Sequence, residues 1–596
     1  MIWLLGIPLL FCQAQEIEVV FKKAPQDGQL YPRNLNTNQA IVEFAGEFRD
    51  LIPDGGLRLA VWRNEALHEV SILSPSQFNG RNYQMHYSIE AELADYRFEL
   101  SALHEQREYL LHKATKVVAG DAYLIYGQSN AQAIVADDIR HEFVRTFGKR
   151  QLNDREELAW DWGVNSFQRG SYADIPPGAW GQQLGKRIIE NDKIPVAIIN
   201  GAIGGRIIAD LLADRTRHLS PNNDYANWKE RVYLAGLQNH VRGIFWYQGE
   251  SEGLHFYCTP AALYKERFAM LYNSWQQDFQ GFEQVVMFQP QTCHAYWLTP
   301  ECMISTQEGI RQIAQEYDDI TLLSTGNFEH EEDGCHFNME VYQAMGDRLY
   351  NHLKDPKKSV STPDLTGVSF ASCQEDEIIL HFQPTQQIIL DKNHLNDLRL
   401  EGNPENRITH IEAAGHQVHI SLENPVSSSF TGISFYSHWF SGSSLLSNIE
   451  GDAALHFHNV PAQKADLDGD GADCSLDCDD SNPEVFPGAE EVPGNGIDEN
   501  CDGLDDAVVS IDDDALHLSI SLYPNPFSNQ ITLEHQLNGP IQFSIQNLEG
   551  QTLLEGKLNQ AQEVLELAHL RPGLYLLHVV TSDETERLVY KLLKTG

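Results

Sequence analysis

The sequence predicts a multidomain protein in which a central α/β domain is flanked by β-rich domains. The chain has 596 residues, a length that suggests roughly four domains. Between residues 119 and 358, short apolar runs alternate with helix-like segments, whereas the regions on either side contain short apolar runs without such segments. An acidic segment at 466–506 separates the last two β-rich regions.

The first part of the chain has the features of an export signal followed by a β domain. Residues 1–14 contain the apolar run Ile2–Phe11 and a small-residue cleavage site, which predicts a signal peptide; the alternative is a buried N-terminal strand. The run is too short to span a bilayer, and no later run is longer. We therefore expect a protein without a membrane span that is secreted or held at the cell surface. Residues 16–118, with short strands between turn residues, predict a small β-sandwich.

The central region, 119–358, has the pattern of a parallel sheet. The apolar runs YLIY, VAIIN, GIFWY, VVMFQ and ITLLS alternate with longer segments that have helical character. Examples of the helical segments are Trp180–Asn191, Tyr225–His240, Ala261–Gln277 and Ser305–Tyr317. In such sheets ligands bind at the carboxyl ends of the strands, where this chain has GQSN, GAIGGR and QGES.

Ser129, in GQSN, is the candidate nucleophile. A serine that cleaves an ester needs a base, oxyanion donors and exposure at a strand end. The segment DGCH at 333–336 offers a carboxylate and an imidazole at a spacing that can bring them together. The Ser129 N–H, a backbone N–H of Gly204-Gly205 and the Gln248 amide are candidate oxyanion donors. Each piece alone is equally typical of a turn, a cap or a structural histidine, and their order along the chain is what indicates a site.

These four blocks resemble those of the SGNH hydrolase superfamily, over roughly residues 118–355, and the QGE form of the third block resembles the sialate O-acetylesterase and acetylxylan esterase branch. The resemblance implies a flavodoxin-like, three-layer α/β/α domain. It also implies hydrolysis of an acetyl ester on a sugar through an acyl-enzyme, without a catalytic cofactor. Ser129 would then be the nucleophile and His336 the base, oriented by Asp333. Gly205 and Gln248 would complete the oxyanion hole with the Ser129 N–H.

Several residues around these blocks are candidates for substrate binding. They are Gln128, Asn130, Arg206 and Glu250. Arg206 stands where the resembled branch usually has Thr or Ser, so its charge is expected either to enter the cleft and favour an acidic sugar or to pair with Asp210. Six aromatic residues are expected either to form a sugar-stacking rim or to pack in the core. They are Trp160, Trp162, Trp180, Tyr257, Tyr296 and Trp297.

The charge is strongly negative and unevenly distributed. The net charge of −43 argues against nucleic acid as a partner, because phosphate binding needs clustered Lys and Arg. The segment 466–506 contains fifteen acidic residues and no Lys or Arg. Its spacing is close to that of a calcium-binding loop, followed by a second, shorter loop. The candidate ligands are Asp466, Asp468, Asp470 and Asp477 in the first loop and Asp498, Asn500 and Asp502 in the second.

The acidic segment resembles the Asp-rich, thrombospondin type 3-like repeats of secreted bacterial proteins, whose ion is usually calcium. We therefore expect structural calcium in a rigid spacer, remote from catalysis; the alternative is a solvated acidic linker. Residues 365–460 and 515–596 predict two further β domains. The motifs YPNPF and LRPGLYLL in the last of these are similar to the C-terminal sorting domain of type IX secretion substrates in Bacteroidota, which implies the type IX secretion machinery as a partner.

Eight cysteines follow the signal-like segment, and an even number in an exported chain permits disulfides. Cys293 and Cys302 are close enough in sequence to close a small loop, and Cys335 is expected to pair with Cys258 or Cys373. A disulfide within DGCH would hold the loop that carries the base.

Together these features predict a secreted carbohydrate O-acetylesterase acting on acetylated carbohydrate of the sialic acid or xylan type. One alternative is a calcium-stiffened carbohydrate-binding or adhesion protein with an inactive hydrolase domain. Another is a lipase or thioesterase of the same superfamily. The catalytic residue types favour the esterase.

Overall fold

The computed structural model of the chain consists of two compact units, Met1–Ser475 and Leu476–Gly596. The residues described by the structure are 17–134, 141–151, 158–164, 177–213, 224–254, 257–293, 300–355, 362–383, 386–436, 443–492, 494–504, 520–535, 541–548, 550–558, 560–580 and 587–595. The predicted signal peptide lies outside them. Within these ranges no helix is long and apolar enough to cross a membrane.

The N-terminal β-rich region contains eight strands, and the last one continues into the central region. The strands are β1 (Val19–Lys23), β2 (Leu30–Pro32), β3 (Gln39–Phe48), β4 (Gly56–Arg63), β5 (Ala66–Leu73), β6 (Asn82–Glu90), β7 (Tyr96–His104) and β8 (Arg107–Gly127). β3 pairs antiparallel with β1 and β6, while β4 pairs with β5 and β7. The first half of β8 pairs with β7, and its last residues pair with strands of the central sheet. β8 therefore crosses the predicted domain boundary at 118/119 without interruption.

The central sheet is mainly parallel, as the sequence predicts. Its other strands are β9 (Val144–Gln151), β10 (Leu158–Val164), β11 (Val196–Asn200), β12 (Val241–Tyr247), β13 (Gln284–Gln289) and β14 (Ile320–Ser324). The order is β10-β9-β11-β8-β12-β13-β14, with only β10 antiparallel to its neighbour in this series. Numbered by sequence from β8 and without the β9–β10 pair, the parallel strands have the order 2-1-3-4-5. That is the flavodoxin-like order, in which the ligand crevice lies where the strand order reverses, between β8 and β12.

Six α-helices accompany this sheet within the described residues. They are α1 (Ser129–Gln132), α2 (Ala179–Asp192), α3 (Asp224–Leu234), α4 (Ala261–Asp278), α5 (Pro300–Glu316) and α6 (Met339–Lys354), with 3-10 turns at Ile208–Leu211 and Glu250–Gly253. α3 ends earlier than predicted, before Gly236, which has a φ of +73°. α2 packs against α6, and α4 packs against α5. The assignment of these pairs to opposite faces of the sheet, as in a three-layer domain, stays a prediction.

One continuous hydrophobic core extends through the N-terminal and central regions, from Ile17 to Leu455. Fully buried residues from both regions, such as Phe44, Leu124 and Trp246, belong to it. The N-terminal strands and the central sheet therefore pack around one core. This core holds β8 in place up to its last residue, Gly127.

The remaining part of the first unit has its own core, and its described residues form nine strands. They are β15 (Leu365–Phe370), β16 (Glu377–Phe382), β17 (Ile388–Leu390), β18 (Leu398–Glu401), β19 (Ile408–Ala414), β20 (Gln417–Leu422), β21 (Gly432–Phe435), β22 (Leu446–Asn448) and β23 (Phe457–Val460). β15, β16, β20 and β19 form a four-stranded sheet, and β18, β21 and β23 form a three-stranded one. Residues of both sheets contribute to that core.

The second unit contains a further β region with a separate core. Its strands are β24 (Ile520–Tyr523), β25 (Gln530–His535), β26 (Ile541–Gln546), β27 (Thr552–Leu558), β28 (Gln562–Glu566), β29 (Gly573–Val580) and β30 (Arg587–Lys594). They form two sheets, β24-β25-β28 and β27-β26-β29-β30. The predicted β character of the chain end is thus present, and its sandwich arrangement stays a prediction.

Candidate active site

Ser129 begins α1 immediately after β8, at a sharp turn of the chain. Gly127 is the last residue of β8 and pairs with Tyr247, the last residue of β12. The Gln128 N–H donates to the Tyr247 carbonyl oxygen at 3.0 Å. Gly127 has a φ of +140°, and a Cβ built on it would lie 2.0 Å from the Tyr247 oxygen, so the turn requires glycine here. The turn places Ser129 at the switch point between β8 and β12.

The glycine pair after β11 lies beside this serine. The Ile203 N–H donates to the Gly127 carbonyl oxygen at 3.1 Å, and a Cβ built on Gly204 would lie 3.6 Å from the Cβ of Ser129. Gly205 has a φ of +73° and open space on its Cα. Among the described residues, neither the Ser129 N–H nor the Gly205 N–H donates to a protein acceptor. Both remain available to an oxyanion.

Asp333 and His336 form a hydrogen-bonded pair in the loop before α6. The His336 Nδ1 lies 2.5 Å from the Asp333 Oδ2, while the Asp333 Oδ1 accepts the N–H groups of Cys335 and His336, both at 2.9 Å. Partial burial raises the pKa of Asp333, but the hydrogen bonds from His336 and Cys335 outweigh it and leave that pKa below its usual value. An ionised Asp333 therefore holds the imidazole by its Nδ1, which leaves Nε2 for a proton acceptor role.

Asn130 connects the serine to this loop. Its Nδ2 donates to the Cys335 carbonyl oxygen at 3.0 Å, and Asn130 and Cys335 are the direct neighbours of Ser129 and His336. Within the part of the chain described, no hydrogen bond joins the Ser129 Oγ to His336 itself. The two blocks are thus brought together through the residues next to Ser129 and His336.

Asn130 is fully buried, and its side-chain amide and its carbonyl are all hydrogen-bonded. Its Nδ2 also donates to the Glu250 Oε1 at 2.7 Å, its Oδ1 accepts from the Tyr342 hydroxyl at 2.7 Å, and its carbonyl accepts from the Trp180 Nε1 at 2.9 Å. Asn130 is 0% exposed and Glu250 is 3% exposed. The structure therefore places these two predicted substrate-binding residues in a buried network beneath Ser129.

Gln248 belongs to a second buried network, on the other side of the turn. Its Nε2 donates to Gln128 at 3.1 Å, to the Arg206 carbonyl at 3.2 Å and to the Glu252 carboxylate, and its Oε1 accepts from the Tyr264 hydroxyl at 2.9 Å. The two hydrogens of this amide are therefore already shared among protein acceptors. Glu252, which directly follows the QGES block, and Tyr264 of α4 were not predicted to be part of this site.

Two glutamates, Glu250 in the QGES block and Glu252 directly after it, are buried. Burial raises the pKa of Glu250 to about 7, against the opposing effects of the Asn130 hydrogen bond and of His336. Burial also raises the pKa of Glu252 to about 7, against hydrogen bonds from the Ile208 N–H and Gln248. Because the Ile208 N–H donates to Glu252 at 2.6 Å, this carboxyl ties the loop that carries Gly205 to the block after β12. Both glutamates hold elements of the site together.

Arg206 pairs with Asp224 rather than with Asp210, the partner expected from sequence. Its Nε lies 2.7 Å from the Asp224 Oδ2, and the guanidinium side chain is 25% exposed. Asp224 is brought here as the first residue of α3, which proximity in sequence does not predict. Of the six aromatic residues, Trp162 and Trp180 pack in the core and Tyr257 is exposed. The side chains of Trp160, Tyr296 and Trp297 lie outside the described residues.

The disulfides differ from the pairings expected from sequence. Cys293 bonds to Cys335 instead of Cys302, and Cys302 bonds to Cys258. The short-loop expectation was wrong because Cys302 lies in the first turn of α5, which packs against α4, and α4 begins just after Cys258. The expected partners of Cys335 were also wrong, since Cys373 bonds to Cys474. The fourth disulfide, Cys478–Cys501, lies in the second unit.

Three of the candidate metal ligands lie in the first unit. The Asp466 carboxylate accepts the N–H groups of Gly469 and Gly471. Carboxylate oxygens of Asp466 and Asp470 each lie within 4.8 Å of one of Asp468. The Oδ2 of Asp470 is buried and accepts no hydrogen bond from the described residues, as a carboxylate oxygen left for a cation would be.

The other candidates lie in the second unit. Asp498 accepts the N–H groups of Asp502 and Gly503, and Asn500 also accepts from Asp502. The Oδ2 of Asp477 is buried and, among the described residues, has no hydrogen-bond partner. These oxygens fit a hard cation, whose identity the donor set alone does not define.

Three family models match parts of the chain. Residues 119–355 match a family described as carbohydrate esterase, sialic acid-specific acetylesterase. Residues 477–507 match a metal-binding motif, which includes Asp477 and the second loop but not Asp466, Asp468 or Asp470. Residues 521–593 match a secretion system C-terminal sorting domain. No match was found among curated proteins.

Solved structures of carbohydrate esterases are similar to the chain at low identity. A carbohydrate acetylesterase from Xanthomonas citri is 16% identical over 74% of this chain and 99% of its own, with a TM-score of 0.49. A carbohydrate acetylesterase family member from Sinorhizobium meliloti is 16% identical over 39% of this chain and 97% of its own, with a TM-score of 0.26. A family two carbohydrate esterase from Cellvibrio japonicus is 11% identical over 58% of this chain and 99% of its own, with a TM-score of 0.27.

By its sequence, then, the region 119–355, which contains the blocks of Ser129, Gly205 and His336, matches the carbohydrate esterase family of sialic acid-specific acetylesterases, and later parts of the chain match a metal-binding motif and a secretion sorting domain.

Proposed function

We propose that the region 119–355 hydrolyses acetyl esters on sugars with Ser129 as nucleophile, His336 as base and Asp333 as the group that orients the base. The observation that carries the proposal is the hydrogen bond from Asn130 to the Cys335 carbonyl, which brings the serine block to the Asp333–His336 pair. The match to an acetylesterase family supports the same reaction.

The proposed reaction has two halves. The Ser129 Oγ attacks the acetyl carbonyl carbon while the His336 Nε2 takes the hydroxyl proton, and the electron pair of the carbonyl moves to its oxygen. The Ser129 and Gly205 N–H groups stabilise this oxyanion. His336 then returns the proton to the departing sugar oxygen, which leaves an acetyl-serine. Water, deprotonated by His336, then attacks the acetyl carbonyl carbon. The bond from this carbon to the Ser129 Oγ breaks, His336 gives its proton to the Oγ, and acetic acid leaves, which ionises to acetate in solution.

Gln248 contributes to this mechanism by holding the oxyanion loop, since its amide binds the Arg206 carbonyl. A direct bond to the oxyanion requires one of its present partners to be released. Gln128 uses its Oε1 to accept from the N–H groups of Gly249 and Ser251. In the described structure its Nε2 has no protein acceptor, so this amide is the candidate for a substrate contact.

The experiment that tests this function compares the wild type with Ser129→Ala on p-nitrophenyl acetate. We expect Ser129→Ala to reduce kcat by about 10³-fold or more, because the remaining oxyanion donors act without a nucleophile. Sugar binding without Ser129-dependent turnover would indicate the alternative of an inactive, carbohydrate-binding hydrolase domain.

The substrate is proposed to be an O-acetylated sialic acid, as the description of the matched family favours it over acetylated xylan. Arg206 is partly compensated by Asp224, so its charge supplies only limited attraction for an acidic sugar. The rates of acetate release from O-acetyl sialic acid and from acetylated xylan, measured with the same enzyme preparation, decide between the two. Faster release from xylan would place the enzyme in the other branch.

For the acidic segment we propose structural calcium, held by Asp466, Asp468 and Asp470 in the first unit and by residues of the 498–502 loop in the second. For export we propose a signal peptide at 1–14 and passage through the type IX machinery. The sorting-domain match at 521–593 supports the second of these steps. The protein would then reach its sugar substrate outside the cell or at the cell surface.

A further inference from the structure

We propose that the Cys293–Cys335 disulfide is a positioning device for the catalytic base: it fixes the loop of Asp333 and His336 to the end of β13. This inference rests on the proposed esterase function. Neither cysteine takes part in the reaction.

Cys335 is attached to three parts of the site. Its N–H donates to the Asp333 Oδ1 at 2.9 Å, its carbonyl accepts from the Asn130 Nδ2 at 3.0 Å, and its Sγ is bonded to Cys293. The residue next to the base is therefore connected to the orienting acid, to the neighbour of the nucleophile and to the central sheet. Of these connections, the disulfide is the one covalent bond.

Cys293 provides a fixed point for this bond. It is 3% exposed and follows β13 by four residues. The intervening segment is held by Gln307 of α5, whose Nε2 donates to the Pro290 carbonyl at 2.8 Å and to the Thr292 hydroxyl at 3.3 Å. Gln307 is itself 1% exposed. The sulfur of Cys293 thus belongs to the rigid packing of β13 and α5.

The loop of the base needs such a fixed point because burial constrains it weakly. The side chains of Asp333 and His336 are 52% and 44% exposed. Backbone bonds of Glu331 with His336 and with Gly334 define the turn, and Phe337 is the next buried side chain. These contacts fix the shape of the loop more than its distance from Ser129. A displacement of about 1 Å in a catalytic group is enough to lower a rate by about 10²-fold.

The chain offers a matched control, the Cys258–Cys302 disulfide. It closes 44 residues, against 42 for Cys293–Cys335, and lies in the same region of the protein. Among the described residues, no hydrogen bond joins Cys258 or Cys302 to the loop that carries Asp333 and His336. Removal of either disulfide should therefore lower the stability of the protein to a similar degree. Only removal of Cys293–Cys335 should displace His336.

The test uses the full chain with Cys293→Ala/Cys335→Ala, the control Cys258→Ala/Cys302→Ala, the wild type and Ser129→Ala. We expect the first double variant to lose about 10- to 100-fold in kcat for p-nitrophenyl acetate with KM little changed. The control should keep the wild-type kcat, and both should lose thermal stability to a similar degree. Equal kcat in the two double variants would overturn the proposal.

A second measurement covers the case in which the double variant does not fold. Dithiothreitol supplies two electrons and two protons to the disulfide of the folded wild type, which gives two cysteine thiols and the cyclic disulfide of the reagent. Alkylation and peptide mass spectrometry then identify which disulfide opened. Wild-type kcat with Cys293 and Cys335 alkylated would overturn the proposal. Absence of Ser129-dependent turnover in the untreated wild type would instead overturn the proposed function.

Discussion

The side-chain amide of Asn130 donates a hydrogen bond to the carbonyl oxygen of Cys335, 205 positions later in the chain, at 3.0 Å. The same nitrogen donates to Glu250, and the Asn130 Oδ1 accepts from Tyr342. One buried side chain thereby aligns the block of Ser129 with the loop of Asp333 and His336, while the neighbouring Ser129 hydroxyl takes no part in these hydrogen bonds.

Asn130→Ala should therefore impair both stability and catalysis. We expect kcat/KM to fall by about 10- to 100-fold because the base block loses its alignment. The free energy of unfolding should decrease by about 1–3 kcal/mol, since Glu250 and Tyr342 are left without their partner. Kinetics on p-nitrophenyl acetate and urea unfolding measure the two effects. Tyr342→Phe, which removes only one donor, should give a smaller loss of each; a folded Asn130→Ala with wild-type kcat/KM would contradict the alignment.

Asp333→Asn should lower kcat by about 10²- to 10⁴-fold with KM little changed, because a neutral amide cannot stabilise the imidazolium that forms in the reaction. The depressed pKa of Asp333 means that this carboxyl is ionised at the pH of an ordinary assay. The loss should therefore be present at pH 6 as well as at pH 8, measured as kcat for p-nitrophenyl acetate. A folded Asp333→Asn with wild-type kcat at either pH would contradict the role of this carboxylate.

Glu250→Gln should change how stability depends on pH. With a pKa of about 7 in the folded protein and about 4.3 when unfolded, the folded state keeps a proton that the unfolded state has lost. Stability therefore falls as the pH rises from about 4.3 through about 7. Glutamine can still accept from Asn130 and does not ionise, so the variant should gain up to about 3 kcal/mol relative to wild type between pH 5 and pH 8.

Denaturant unfolding at the two pH values measures this gain. Glu331→Gln, which alters an exposed carboxylate in the adjoining loop, serves as the control and should show no such difference. A Glu250→Gln effect of the same size at both pH values would mean that Glu250 is ionised throughout in the wild type.

Removal of calcium should affect the acidic segment and leave the esterase intact. Calcium at 100 times its dissociation constant is expected to stabilise by about 2.7 kcal/mol, seen as protection of the segment 466–504 from proteolysis. Asp470→Asn should weaken that protection, because the Asp470 Oδ2 is buried without a described partner, whereas Asp479→Asn at an exposed position should not. Turnover of p-nitrophenyl acetate should be unchanged by chelator; loss of turnover would connect the metal to catalysis.

The central strands were predictable because parallel strands buried on both faces appear as uninterrupted apolar runs. Helix ends were less predictable. α5 begins at Pro300, five residues before the predicted start, and α6 was not among the helical segments named as examples. Two features of the α6 sequence are nevertheless typical of a helix. The Asn338 side chain caps it by accepting the Val341 N–H, and Met345 and Leu349, four residues apart, are both buried. The two apolar residues lie one helical turn apart, but Gly346, Asp347 and Arg348 between them make the helical pattern hard to see in the sequence.

The order of the motifs along the chain was enough to predict the candidate site. The hydrogen-bond partners of its side chains could not be predicted from the sequence. The blocks of Ser129 and of the 333–336 loop each follow from local sequence, and the structure brings them together through Asn130. The Gln248 amide is bonded to protein partners because Glu252 accepts from its Nε2 and the Tyr264 hydroxyl donates to its Oε1. These contacts depend on tertiary packing and cannot be deduced from the local sequence. Disulfide connectivity likewise depends on which helix turns a cysteine towards which loop, as for Cys302.

β8 has a consequence for how this protein can be divided. Its 21 residues begin in one sheet, where they pair with β7, and end at the turn that carries Ser129. A shortened gene product that begins at residue 119 would cut this strand and remove the partners β2 and β7 at once. The N-terminal strands and the turn that carries Ser129 therefore have to be expressed together if β8 is to keep these partners.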